Sequence, residues 1–129
     1  MENEERIIRG FAPKDKRNRY VSFLSSAKRR RRLIDLLNHE FALDPRYSFK
    51  VPKESQNVAG IHAILTSKGA PKECYVMSNI SDIDGKTMNL LEALEHVVGV
   101  ETGSLISCIV EKLAYYESED WGERYVLSK

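Results

Sequence analysis

Two apolar runs, Ser104 to Val110 and Leu113 to Glu117, are separated only by Glu111-Lys112. Runs this short and this close read as two strands of a β-hairpin, because neither is long enough for a stable helix and the join is too tight for a crossover. Glu123 to Leu127 alternates enough to add a last strand, after the turn residues Ser118 to Gly122. Cys74 to Ile80 reads as a further buried strand.

The rest of the chain predicts helices. Ser25 or Ser26 can cap the first, since a serine hydroxyl accepts from an unpaired N–H of the first turn. Ala27, Leu33, Ile34, Leu36, Leu37 and Phe41 then broadly follow helical spacing. Tyr20, Phe23 and Leu24 extend the same stripe backwards. Asp44-Pro45 is the expected stop, because the residue before proline is pushed out of the α region. Tyr47 to Val51 is a short extended piece. A second helix is expected from about Ser55, as N-cap, to Lys68, with Val58, Ile61, Ile64 and Leu65 inward and Gly69 as its left-handed terminus. Asp84-Gly85 signals a type I′ turn. Asn89 and Glu92 look like an N-cap with a reciprocal Glu three residues on. The third helix follows to about Val98, with Leu90, Leu91, Leu94, Val97 and Val98 inward and Gly99 as its stop.

Helices first and strands bunched later argue an α+β fold, with a mainly antiparallel sheet of about four strands covered on one face by about three helices. At 129 residues the chain has the size of one ordinary domain. Residues 1–19 read as a polar basic arm, partly ordered around Ile7, Ile8 and Phe11, ahead of a single domain over 20–129. The longest run without a formal charge is Ser55 to Ser67, 13 residues, short of the roughly 20 a spanning helix needs. The acidic start, Met-Glu-Asn-Glu-Glu, lacks the apolar segment of a secretory signal. A cytoplasmic location without membrane contact is the resulting expectation.

Charge is unevenly placed. Residues 1–40 hold 11 Lys/Arg and 6 Asp/Glu, a net +5, and residues 41–129 hold 9 and 13, a net −4. Between Lys14 and Arg32 there are nine basic residues and one acid, Asp15. On a helix at about 100° per residue, Lys28, Arg29 and Arg32 point away from the Ile34/Leu37 stripe. Arg30 and Arg31 fall near or on it, and should snorkel or pair with carboxylates. Lys28, Arg29 and Arg32, with Lys14, Lys16, Arg17 and Arg19, are therefore the candidate anion-binding residues. Their partner would be nucleic acid, where each neutralised phosphate releases counterions, or an acidic protein surface. The plainer alternative is a solvated helix face, paired with acids of residues 41–129 or with a second copy of the chain. Phe11, Tyr20 and Phe23 lie among these basics and are candidates to stack on unpaired bases, though Tyr20 and Phe23 fit the core stripe equally.

Other chemistry has little support. Asp82-Ile-Asp84-Gly85 resembles the start of a calcium loop, but Lys86 stands at loop position 5, where Asp or Asn should be a ligand, and the glycine comes too early. Glu92 and His96 are helical neighbours without the second carboxylate helix that a di-metal site needs. There is no His-Glu-x-x-His, no Gly-x-Gly-x-x-Gly, no Walker A and no Gly-x-Ser-x-Gly. No cofactor and no metal are expected. An enzyme would need a site assembled in space from His39, His62, His96 and nearby acids. Cys74 and Cys108 sit in apolar runs and read as reduced, buried thiols. Trp121-Gly122 reads as a turn with its indole folded onto the sheet.

The stretches Cys74-Tyr-Val-Met-Ser78, Asp84-Gly85, Leu91-Glu-Ala-Leu94, Gly103 to Ile109 and Lys112-Leu-Ala-Tyr-Tyr116 resemble a family of small uncharacterised bacterial proteins. The basic Ser25–Arg32 segment is similar to theirs as well. The resemblance covers most of residues 20–128 and implies a small bacterial cytoplasmic protein. It carries no activity, ligand or catalytic role onto any position. The reading that remains is a non-enzymatic binding or regulatory module whose basic N-terminal helix meets an anionic partner. The alternative is a homo-oligomeric structural protein, with the basic segment of one chain against the acidic remainder of another.

Overall fold

A computed structural model describes residues 2–40, 42–120 and 123–129, with Glu2 defined by its backbone alone. The chain runs α1 (Glu2–Phe11), α2 (Arg17–Ser22), α3 (Ala27–His39), β1 (Ser48–Lys50), α4 (Val58–Ser67), β2 (Glu73–Ser78), β3 (Thr87–Asn89), α5 (Leu90–Val97), β4 (Ser104–Ile109), β5 (Leu113–Glu117) and β6 (Arg124–Ser128), with short 3-10 turns between some of them. The fold is α+β. All pairings are antiparallel and the sheet order is β1-β6-β5-β4-β2-β3.

The sheet is larger than expected and is covered on both faces. The two extra strands are the edges, β1 and β3, of three residues each, too short to show a period of two. Leu105, Ala114, Tyr116, Met77 and Leu127 point to one face and pack against Ile7, Ile8, Phe11, Leu33, Ile34 and Leu37 of α1 and α3. Val76, Ile106, Leu113, Tyr115 and Val126 point to the other, against Ile61 and Leu65 of α4 and Leu90, Ala93, Leu94 and Val97 of α5. Each residue of β5 and the first five of β4 are therefore buried. Strands buried at nearly every position, with mostly apolar residues, are covered on both sides, which is why a one-sided sheet was the wrong inference from them.

Residues 2–11 are not an exposed arm. They form α1, with Ile7 and Ile8 at 0% and Phe11 at 1% exposure. Asp44 N–H donates to Phe11 O at 2.7 Å, and Gly10 rests so close to the β4–β5 turn that a Cβ there would lie 2.7 Å from Glu111 Cα. Helix α3 ends at His39, five residues before Asp44, because tertiary donors take its last carbonyls. Glu119 N–H reaches Asn38 O at 2.9 Å, and Tyr116 Oη lies 2.5 Å from Leu37 O and 2.9 Å from Glu40 O. Phe41, expected on its stripe, lies outside the described residues, as do Trp121 and Gly122. Helix α4 starts at Val58 rather than near Ser55, since Asn57 Oδ1 accepts Gly60 N–H at 2.7 Å and is the cap. Asn89 caps α5 through Glu92 N–H at 3.2 Å. In the β2–β3 connection only Gly85 has a positive φ, of 75°, so Asp84-Gly85 is not a type I′ pair. Asp84 instead turns its carboxylate inward. No helix among the described residues is long and apolar enough to cross a membrane.

Candidate functional site

The basic segment divides by what its cations touch. Ser26 caps α3, its hydroxyl accepting Arg29 N–H at 3.2 Å, and this sets the helical phase. Leu33, Ile34 and Leu37 then face the sheet, which leaves Lys28, Arg29 and Arg32 in solvent. Arg30 turns inward. Its Nε and Nη2 donate to the two oxygens of Glu4 at 2.9 and 2.7 Å, and its Nη1 and Nη2 to those of Asp84 at 2.6 and 2.9 Å. Glu4 is 1% exposed and Arg30 14%. Tyr75 Oη adds a donor to Glu4 at 2.7 Å, and Ser78 N–H one to Asp84 at 2.9 Å. Hydrogen bonds to Asp84 and then to Glu4 hold the guanidinium firmly charged. Burial and the bond to Glu4 raise the Tyr75 phenol. Arg31 lies over Asp35 at 3.0 Å and donates to the Asn79 side-chain oxygen, while staying 56% exposed.

The seven candidate residues make no ion pair among the described residues. Lys14, Lys16, Lys28 and Arg32 are exposed. Arg19 and Arg29 converge on one ring, with guanidinium carbons 5.7 and 6.0 Å from the centroid of Phe23. That joins the cations of α2 to those of α3. Arg29 also donates to Ser25 Oγ at 3.3 Å and Ser22 Oγ at 3.5 Å. Arg17 is half-buried, and its Nε has no hydrogen-bond partner among the described residues.

The arginines elsewhere differ. Arg6 holds Glu111, Arg9 holds Glu5, Arg46 holds Asp44 and Arg124 holds Glu117. Among the described residues the arginines without a carboxylate are Arg17, Arg19, Arg29 and Arg32, all on α2 and α3. An unpaired guanidinium at the surface keeps its full charge and its planar fork of donors for a carboxylate or phosphate from outside.

The aromatics among these basics are not available to bases. Phe11, Tyr20 and Phe23 are 1%, 2% and 7% exposed, so their side of the ambiguity is the core. A face with cations and no open ring suits phosphate or carboxylate contact rather than stacking.

The histidines are dispersed. His39, at the end of α3 on one side of the sheet, pairs with Glu119 at 2.8 Å, and that bond raises its imidazole. His62 of α4 and His96 of α5 belong to the other side. His96 Nδ1 sits 2.9 Å from Glu92 O on its own helix. His62 lines a shallow recess of about 300 Å³ with Lys72, Asn89, Leu90 and Leu91, and neither other histidine joins it there. Among the described residues no group of three or more His, Cys, Asp or Glu is placed to hold a metal. Asp84, part of the calcium-like sequence, is already spent on Arg30 and Ser78. Cys74 and Cys108 are free and buried, and burial pushes their thiols up to about 11 and about 12.

The network of Glu4, Arg30, Asp84 and Tyr75 has no counterpart in sequence spacing, because its members lie 26, 54 and 71 residues apart. The usable hint was the phase of α3, which turned Arg30 toward the core. No family model matches the chain, and neither the curated proteins nor the solved structures provide a match to it.

Proposed function

We propose that this protein is a non-enzymatic binding or regulatory module, acting in the cytoplasm, that contacts an anionic partner through the basic face of α2 and α3. The partner is a nucleic acid or an acidic protein surface. The observation behind it is the partition of the arginines: among the described residues Arg17, Arg19, Arg29 and Arg32 hold no carboxylate, whereas the other six, Arg30 and Arg31 of α3 included, each hold one. The test is binding of labelled duplex DNA, single-stranded RNA and polyglutamate, followed by anisotropy at low salt. Binding to at least one polyanion, lost on reversing Lys28, Arg29 and Arg32 to Glu, supports the reading. If none of the three binds, the reading fails.

A second reading draws on the other layer. Glu92 and Glu95 are exposed on α5 and lack carboxylate-neutralising partners among the described residues. They lie across the sheet from α2 and α3. Copies of the chain stacked head to tail would bring these opposite charges together, a heterologous contact that does not close on itself. Light scattering over a concentration series separates the two, since a monomer at high concentration contradicts self-assembly.

A further inference from the structure

Cys74 and Cys108 are brought together by strand register. Met77, Val76 and Tyr75 of β2 pair with Leu105, Ile106 and Ser107 of β4. Continued one step past Tyr75 and Ser107, that register would place Cys74 opposite Cys108. Both belong to the buried layer beneath α4 and α5, and the two thiols are close enough that charge on Cys74 acts on Cys108. Opposed residues of antiparallel strands have Cα atoms about 4.5–5.5 Å apart, within the roughly 4.4–6.8 Å that a disulfide spans. Their Cβ atoms sit about 4.5–5.5 Å apart, whereas a disulfide wants about 3.5–4.5 Å. The strands must therefore draw in slightly, and the irregularity of β4 between Ser107 and Ile109 falls at Cys108 itself. Each thiol at present points to a main-chain carbonyl, Cys74 to Met88 O at 3.4 Å and Cys108 to Ile106 O at 4.0 Å. Closing the bond gives up only these two weak thiol contacts.

We propose that Cys74 and Cys108 are a redox couple that closes into an intramolecular disulfide between β2 and β4 when a small two-electron oxidant such as hydrogen peroxide reaches them. Burial pushes the Cys74 thiol up less than that of Cys108, to about 11 against about 12, so Cys74 supplies more thiolate and attacks first. Its sulfur bonds to a peroxide oxygen, the O–O bond breaks, and one water leaves with a sulfenic acid formed. The Cys108 sulfur then displaces the hydroxyl of that sulfenic acid, forming the S–S bond and a second water. Two thiols and one peroxide give one disulfide and two waters. At 4% and 8% exposure the pair excludes bulky oxidants such as glutathione disulfide. Because the thiolate reacts, the rate should rise about tenfold per pH unit through the neutral range.

The test exposes the folded, full chain to hydrogen peroxide, then alkylates in denaturant and maps peptides by mass spectrometry. The expected product is a monomer lighter by two hydrogens, with a Cys74–Cys108 linked peptide, an unchanged circular dichroism spectrum and reopening under dithiothreitol. In the Cys108→Ser variant the reaction should stop at a Cys74 sulfenic acid that dimedone traps. Two alkylatable thiols remaining in the wild type would overturn the proposal. So would linkage only between chains, or linkage that appears only when the native spectrum is lost.

Discussion

Replacing Arg30 by Met tests whether this arginine belongs to the framework rather than to the anion-facing surface. Methionine keeps much of the side-chain length, so the change removes charge and donors more than volume. In the variant, Tyr75 Oη is the one donor left to Glu4, 1% exposed, among the described residues. Asp84 is better placed, being 23% exposed and still holding Ser78 N–H. The loss therefore falls on Glu4. Removing one partner of a buried ion pair costs about 3–5 kcal/mol, and the surviving Tyr75 bond argues for the low end, about 3 kcal/mol. With about 2.1 cal/mol/K of unfolding entropy per residue and 129 residues, that lowers Tm by about 11 °C. Thermal and urea unfolding measure it, with an unchanged urea slope showing that the cost is in stability and not in the extent of the denatured state. A cycle with Glu4→Gln isolates the pair: the double variant should recover more than about 1 kcal/mol of the additive loss. A loss below about 1 kcal/mol in Arg30→Met, or no coupling to Glu4, would contradict this and add Arg30 to the surface set.

Reversing Lys28, Arg29 and Arg32 to Glu should change stability by no more than about 0.5 kcal/mol per site; a large fall in Tm would mean that these side chains hold the fold together. Gly103→Ala should cost about 3 kcal/mol or more, since the new Cβ would lie 2.4 Å from Asn38 Cα and 2.5 Å from Asn38 N, backbone atoms that cannot swing aside; wild-type urea stability would contradict this. His39 has a folded-state pKa raised by Glu119, so its stabilising effect is complete below the unfolded value of about 6.5 and is lost as pH rises through the folded value. The His39 imidazole should titrate at higher pH in the wild type than in Glu119→Gln, as read by NMR, and equal midpoints would refute the contact.

Much of the fold was legible because local chemistry and packing agreed. The β4–β5 hairpin, β2, β6 and the caps at Ser26 and Asn89 stand where their residue types placed them. What was missed depended on distant partners. Ile7, Ile8 and Phe11 carried the stripe of α1, but in ten residues dominated by charge it looked marginal until the β4–β5 turn and Asp44 supplied its seat. The end of α3 was set by Glu119 and Tyr116 rather than by Pro45. The second helical layer was implied by β4 and β5 being mostly apolar on both of their faces, a pattern open to more than one explanation without the partners in view. At the candidate site, helical phase separated Lys28, Arg29 and Arg32 from Arg30, whereas the carboxylates that hold Arg30 could not be read from spacing. The burial of Phe11, Tyr20 and Phe23 was likewise decided by tertiary packing.

The salt dependence of polyanion binding counts the cations that α2 and α3 bring to a partner. Each phosphate neutralised on a duplex contributes about −0.9 to the slope of log K against log salt concentration. If Lys14, Lys16, Arg17, Arg19, Lys28, Arg29 and Arg32 all engage, the wild type should show a slope approaching about −6. Neutralising Lys28, Arg29 and Arg32 to Gln should then make it shallower by about three. A duplex that binds with the same slope in both proteins would contradict the assignment of this face.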